Sequence, residues 1–344
     1  MLSRLVENAL RVTLCLLAAA VALSIQAISA AELVPCDEVS DLTSDEVTPA
    51  NPAVKLTVKN GSTQTISIIR VDAKGVKNAK GKIAPGKTTE VDSSACHAFL
   101  LHTSAGKCLC GFVLADRPEE IVSIDANGLC SAQKAEACYE PTARYQQQIV
   151  EGWTIFISSA YIEQTLLPVL TVLTRKLKQA RTSLPPSAIE TLQDVRLWLE
   201  ASDWRFPKTA YHPNARWLNC HRMNPDKKGG IETSAEIVPL SDEQPAMIIH
   251  ELAHAFEAQG LGPGRAKLKS AYQAAKKLGR YESVRRRGGG KDRAYALTDV
   301  HEYFAELSEA YFGENDFYPF NREELKAFDL EGFEAIESLW NVAK

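Results

Sequence analysis

The sequence predicts a chain in two parts: a small all-β sandwich stapled by disulfides, then a mixed α/β domain. Three observations predict it. Short β-patterned runs punctuated by turn residues fill the stretch from about Val54 to Val113. Six cysteines (Cys36, Cys96, Cys108, Cys110, Cys130 and Cys138) crowd the same part of the chain. Beyond Cys138 the pattern becomes mixed, and His250-Glu251-Leu252-Ala253-His254 sits inside an apolar run that reads as a helix.

Bulk properties set limits on this reading. The 344 residues allow two domains or three small ones, and an apolar fraction of 45% is ordinary for a globular protein. A net charge of −4 and a pI near 6.0 supply no basic field for nucleic acid. The triplet Arg285-Arg286-Arg287, followed by Gly288-Gly289-Gly290, is a local exception. It reads as a solvated flexible loop, with a protease-sensitive or anion-touching loop near an active site as the sharper reading.

Residues 1–31 read as a signal peptide. Arg4 and Arg11 give a positive start, Val12 to Ile25 is an almost unbroken apolar run, and Ser29-Ala30-Ala31 offers a small-residue cleavage site. The run is short for a membrane span, which needs about 20 residues; an uncleaved anchor is the alternative. The expectation is a secreted protein, extracellular or periplasmic, and the cysteines suit such an oxidising compartment. Their pairing stays open. Cys220 is the odd one, either free and buried or a tie between the two halves. Cys108 and Cys110 are spaced too closely for a zinc knuckle.

Residues 32–138 form the predicted sandwich. Lys55-Leu56-Thr57-Val58-Lys59 alternates, Asn60-Gly61-Ser62 marks a turn, and Thr65-Ile66-Ser67-Ile68-Ile69 resumes the pattern. Gly75, Pro85-Gly86 and Ala105-Gly106 separate further short strands, as in a small all-β sandwich. Asp41 to Pro52 is polar and acidic and reads as a leader or linker. In residues 139–344, Gly152 to Ser158 reads as a strand and Tyr161 to Ala180 as a helix. Ser187-Ala188-Ile189-Glu190 is a capping box opening a short helix. Val195 to Leu199 alternates as a strand, and Ile231 to Ile237 is another.

Residues four apart on a helix share a face, so the imidazoles of His250 and His254 reach one metal ion while Glu251 points at its open side. Two neutral nitrogens suit Zn²⁺, and a carboxylate beside the ion can take a proton from water. A catalytic site of this kind has three protein ligands. The helical run from Val300 to Phe312, with the apolar stripe Phe304, Leu307, Ala310 and Tyr311, offers Glu302, His301 and Glu306. Glu302 and Glu306 share a face, one as ligand and one behind it, while His301 sits about 100° away. Asp299 is a candidate to orient a histidine ligand.

Two resemblances add to this. HExxH followed by Glu302-Tyr303-Phe304-Ala305-Glu306 resembles the catalytic domain of anthrax-toxin lethal factor and related secreted gluzincins, over about Gln244 to Tyr318. The resemblance implies a zincin fold, Zn²⁺ held by His250, His254 and Glu302, Glu251 as general base, and Tyr295 as the phenol facing the oxyanion. Upstream, Leu56 to Ser62, Val71 to Gly75, Ile83 to Gly86 and His97-Ala98-Phe99 are similar to the β domain of the von Hippel–Lindau family. That family binds hydroxyproline peptides in an aromatic groove, to which Ser93, His97 and Phe99 correspond. Lys80 and Arg70 stand where the groove has tyrosine and tryptophan, so the fold is expected without that ligand.

The expected function is therefore that of a secreted zinc metalloendopeptidase acting on a protein or peptide substrate, its β domain docking a protein partner. The alternatives are a metal-bearing binding or adhesion protein acting through the β domain, and a hydrolase of a non-standard amide such as a cell-wall cross-link.

Overall fold

The computed structural model describes residues 28–29, 31–44, 51–135, 139–201, 209–260 and 264–341. Most of the signal segment, Cys15 and Cys138 lie outside them. Two compact units result: the chain up to Thr142 together with Ala215–Asp226, and Ala143–Asn214 together with Lys227–Lys344.

The first unit is built from short strands: Ile28–Ser29 (β1), Glu32–Val34 (β2), Ala53–Asn60 (β3), Ile66–Val71 (β4), Lys77–Ile83 (β5), Thr88–Ser94 (β6), Ala98–Thr103 (β7), Cys108–Val113 (β8), Glu119–Ile124 (β9), Cys130–Ala132 (β10) and Lys134–Ala135 (β11). They form a five-stranded sheet in the order β2-β8-β7-β4-β5, a four-stranded sheet β10-β9-β3-β6, and the pair β1-β11. Alternation puts Leu56 and Val58 of β3, and Ile66 and Ile68 of β4, into one core that both larger sheets share. The turn read at Asn60-Gly61-Ser62 is present: the Asn60 amide donates to Gln64 O and Ile83 O and accepts from the Ser62 amide. Gly61 is required there, because a Cβ would lie 2.6 Å from Ile124 O. His97 bonds Arg70 through one ring nitrogen and Ser93 through the other, and Phe99 is fully buried, stacked on Phe112.

Among the described residues, three disulfides join Cys36 to Cys108, Cys110 to Cys130 and Cys96 to Cys220. Cys220 is not free: bonded to Cys96, it ties the predicted sandwich stretch to the stretch after Cys138, as the second alternative had it, and its helix Ala215–Cys220 (α3 below) lies in the first unit. Disulfides of this number belong to an oxidising compartment. Among the described residues, no helix is long and apolar enough to cross a membrane.

The second unit centres on a five-stranded sheet of Gln146–Val150 (β12), Trp153–Ile157 (β13), Leu197–Glu200 (β14), Ala210–Tyr211 (β15) and Ile231–Ser234 (β16), in the order β12-β13-β14-β16-β15. β13, β14 and β16 run parallel, and β12 and β15 close the edges antiparallel. Val284–Arg285 (β17) and Lys291–Asp292 (β18) form a separate hairpin. The helices in chain order are Glu163–Ser183 (α1), Pro186–Leu192 (α2), Ala215–Cys220 (α3), Met247–Ala258 (α4), Gly264–Lys277 (α5), Val300–Phe312 (α6), Arg322–Phe328 (α7) and Leu330–Leu339 (α8).

Several local expectations change for physical reasons. Leu197, Trp198 and Leu199 are buried consecutively, because β14 is a central parallel strand covered on both faces. Pro186 takes the first turn of α2, so Ser187 lies inside the helix and makes no cap. β16 stops at Ser234, whose hydroxyl accepts from the Glu236 amide and turns the chain into a short 3-10 helix. The arginine triplet is not a free loop: Arg285 lies over Tyr318 and Phe320, Arg286 over Phe317, and Arg287 donates to Asp242 O.

Candidate metal centre

Two helices build the site. α4 buries Met247 to Ala253 almost without interruption, with Leu252 fully enclosed, a burial that stabilises by about 2 kcal/mol for such a side chain. No side chain caps its first turn. The loop before it is fixed instead by the buried Lys176 of α1, whose ammonium donates to Gln244 O (2.8 Å), Pro245 O (2.9 Å) and Ser241 O (3.3 Å). α6 is enclosed all round, buried from Tyr303 to Tyr311. Asp299 is its N-cap and accepts from the amides of His301 and Glu302.

This packing brings three predicted ligands together. His250 Nε2 lies 3.2 Å from His254 Nε2 and 3.0 Å from Glu302 Oε2, and His254 Nε2 lies 3.3 Å from the same oxygen. A tetrahedral ion with bonds of about 2.0–2.1 Å spaces its donors about 3.3 Å apart, so the three atoms stand near the corners such an ion needs. The far side of His250 is fixed as well. Its Nδ1–H donates to Glu309 Oε1 at 2.7 Å, which turns Nε2 toward the cluster. His250, His254 and Glu302 thus form a group able to hold a metal ion. Cys96, Cys220 and His221 are also close, but the two sulfurs are bonded to each other.

Electrostatics follow from the burial. Burial alone raises the Glu302 carboxyl, but hydrogen bonds from His250 and His254 outweigh it and hold the group well below the usual range. Burial disfavours charge on His250, yet Glu302 and Glu309 together push its proton affinity well above normal in the metal-free protein. Glu251 is 9% exposed, and burial raises its carboxyl against the pull of both histidines. One of its oxygens is held, since Oε2 accepts from the Tyr211 amide at 2.7 Å. Behind the ligands, Glu306 is raised well above normal by burial and by the charges of Glu309 and Asp316.

Tyr295 is half-exposed in a 3-10 turn just before α6, its ring 6.3 Å from that of His250. Burial, then the neighbouring Glu302 charge, push its phenol well above the ordinary tyrosine range, so it stays a donor. Not every predicted residue joins the cluster. His301 faces away and donates to Glu257 at 2.8 Å. Asp299 caps α6, and Glu309, not Asp299, orients His250. Glu306 lies 4.0 Å from the Nδ1 side of His250, behind the ligand cluster. Sequence reasoning missed Glu309 and the Tyr211 amide. Glu309 follows Glu302 by seven residues, two helical turns, and that spacing was the available signal.

No family model and no curated protein matches this sequence. Among solved structures, a protein from Eubacterium rectale determined by NMR matches at 10% identity over 24% of this chain and 89% of its own, with a TM-score of 0.19. Pneumolysin matches at 8% identity over 25% of this chain and 24% of its own, also with a TM-score of 0.19. Likenesses this slight carry no argument.

Proposed function

We propose that the chain is a secreted zinc-dependent metallopeptidase of the gluzincin type, with a zincin catalytic domain resembling that of lethal factor. The observation that carries the reading is the convergence of His250 Nε2, His254 Nε2 and Glu302 Oε2 within 3.0–3.3 Å of one another, beside a buried Glu251. Two imidazoles and a carboxylate are the donor set of hydrolytic zinc sites, and the partly open cluster leaves room for a fourth position. Zn²⁺ bound there supplies Lewis acidity and an acidified water.

The chain's own residues divide the remaining work. Glu251 takes the proton of the attacking water and passes it to the leaving amine, breaking the peptide bond. Its raised carboxyl makes it a stronger base for taking that proton. Tyr295 donates from its phenol as negative charge builds on the carbonyl oxygen, a contribution of about 3–4 kcal/mol for a donor of this kind. Glu309 keeps His250 in the tautomer that presents Nε2. The disulfide-stapled β unit serves as a docking module for a protein partner or substrate.

The test is a comparison of wild type, Glu251→Gln and Glu302→Ala on a peptide library, with zinc counted by elemental analysis. Glu251→Gln keeps one zinc and loses cleavage, while Glu302→Ala loses the zinc. Equal cleavage by wild type and Glu251→Gln sinks the mechanism.

A further inference from the structure

The mechanism leaves unused four linked ionisable groups, three buried and one half-buried, on and beside β14 and β16. Glu232 of β16 is 1% exposed, His212 and Lys227 are each 3% exposed, and Glu200 ends β14. Glu232 Oε2 accepts from His212 Nε2 at 2.9 Å and from Lys227 Nζ at 3.0 Å. Lys227 reaches on to Glu200 Oε1 at 2.8 Å, which also accepts from the Tyr145 hydroxyl at 2.6 Å. Burying such a set costs several kcal/mol per ion before pairing, and apolar residues would fill the space at no such cost. Its place in the fold explains its use.

His212 follows β15 directly. Its amide donates to Gly230 O (2.9 Å) and its carbonyl accepts from the Gly229 amide (2.8 Å), so its backbone polar groups face β16. Gly229, whose amide makes the second of these bonds, holds a positive φ of 74°, and a Cβ on Gly230 would lie 2.7 Å from Arg196 O on the other side, next to β14. Successive amides of a strand point to opposite sides. With His212 turned to β16, the Tyr211 amide points off the sheet edge, where it meets Glu251 Oε2 at 2.7 Å. A slip of one residue in β15 turns that donor away.

We infer that His212, Glu232 and Lys227 are positioning residues that lock the register of β15, so that the Tyr211 amide holds one oxygen of Glu251 and leaves the other for water. The general-base role of Glu251 rests on the function proposed above; the register lock does not. β15 is only two residues long and lies at an edge, so ladder bonds alone fix it weakly. A side chain bonded across the pair to a buried carboxylate supplies the missing constraint.

The experiment uses the full chain with zinc bound and four variants. His212→Phe removes the donor to Glu232, and His212→Gln keeps one near the same place. Tyr211→Pro deletes the amide donor itself in an edge strand that tolerates proline, with Tyr211→Ala as its side-chain control. Three quantities are read: zinc content, amide hydrogen exchange at Tyr211, and kcat and KM on a fluorogenic peptide that the wild type cleaves. The expected result is faster exchange at Tyr211 in His212→Phe, with kcat about 10–100-fold lower, KM and zinc content within twofold, and recovery in His212→Gln. Tyr211→Pro matches His212→Phe in kcat while Tyr211→Ala stays near wild type. Unchanged exchange or unchanged kcat in His212→Phe overturns the inference. Equal kcat in Tyr211→Pro and Tyr211→Ala overturns it too, and keeps it testable should His212→Phe not fold. If the wild type cleaves no peptide, the proposed function fails while the exchange readout still decides the register lock.

Discussion

Replacing Glu309 by Gln separates the two jobs that this buried carboxylate does. It accepts the Nδ1–H of His250 at 2.7 Å, a short charge-assisted bond that sets the tautomer and raises the basicity of Nε2. It also adds a negative charge beside Glu306, which burial and the charges of Glu309 and Asp316 push upward, and near Asp316, which burial raises against the pull of Arg286 and His250. Glutamine keeps an acceptor oxygen but removes the charge. Loss of such a partner costs about 10–100-fold in metal affinity, or about 1.4–2.7 kcal/mol. The amide keeps part of the bond, so the expected loss for Glu309→Gln is near tenfold, with Glu309→Ala near a hundredfold. The metal-free protein behaves the other way, since relief of repulsion among three buried acids leaves its melting temperature unchanged or higher. Competition against a chromophoric zinc chelator measures the first quantity, and calorimetry of chelator-treated protein the second. Wild-type zinc affinity in Glu309→Gln refutes the reasoning. A fall in affinity accompanied by an equal fall in metal-free stability refutes it as well, because the effect is then general unfolding.

Three further outcomes are expected. Tyr295→Phe lowers kcat by about two orders of magnitude on a cleaved peptide while leaving zinc content unchanged, as removal of an oxyanion donor does; an unchanged kcat assigns Tyr295 to packing. Glu120, 1% exposed in β9, is raised to about 7 by burial, against the opposing Arg117 charge. The folded chain then binds more protons than the unfolded one between about pH 4.5 and 7, so stability falls as pH rises through that window. Glu120→Gln flattens the fall, by about 2–3 kcal/mol, in urea melts at pH 5 and pH 8; parallel profiles for the two proteins contradict it. The paired change Cys96→Ser with Cys220→Ser opens a loop with a sequence separation of 124 and lowers stability by roughly 3–5 kcal/mol in the same assay. A smaller loss than for opening Cys110–Cys130, with a separation of 20, contradicts the loop argument.

Long periodic segments were legible because their burial is one-sided or their ends are marked. α6 occupies Val300–Phe312 as its pattern indicates, and the Asn60-Gly61-Ser62 turn carries its own side-chain bonds. β14 was misjudged in kind because a central strand has no polar face to alternate with. The inclusion of Ala215–Asp226 in the first unit was signalled only by the odd cysteine, Cys220, whose partner is one of many possible pairings. At the site, the motif shows the side chains that meet the ion and hides what holds them. Glu309 looks like an ordinary charge on a helix until that helix proves to be enclosed all round. The Tyr211 donor is a backbone amide, which no choice of residue type reveals.

α6 carries Glu302, Glu306 and Glu309 on one buried stripe, all directed toward the same histidine. Each residue advances a helix by about 100°, so one deletion between the first and last of them swings the rear carboxylate out of reach. The segment is a ruler: its length sets where the rear carboxylate falls.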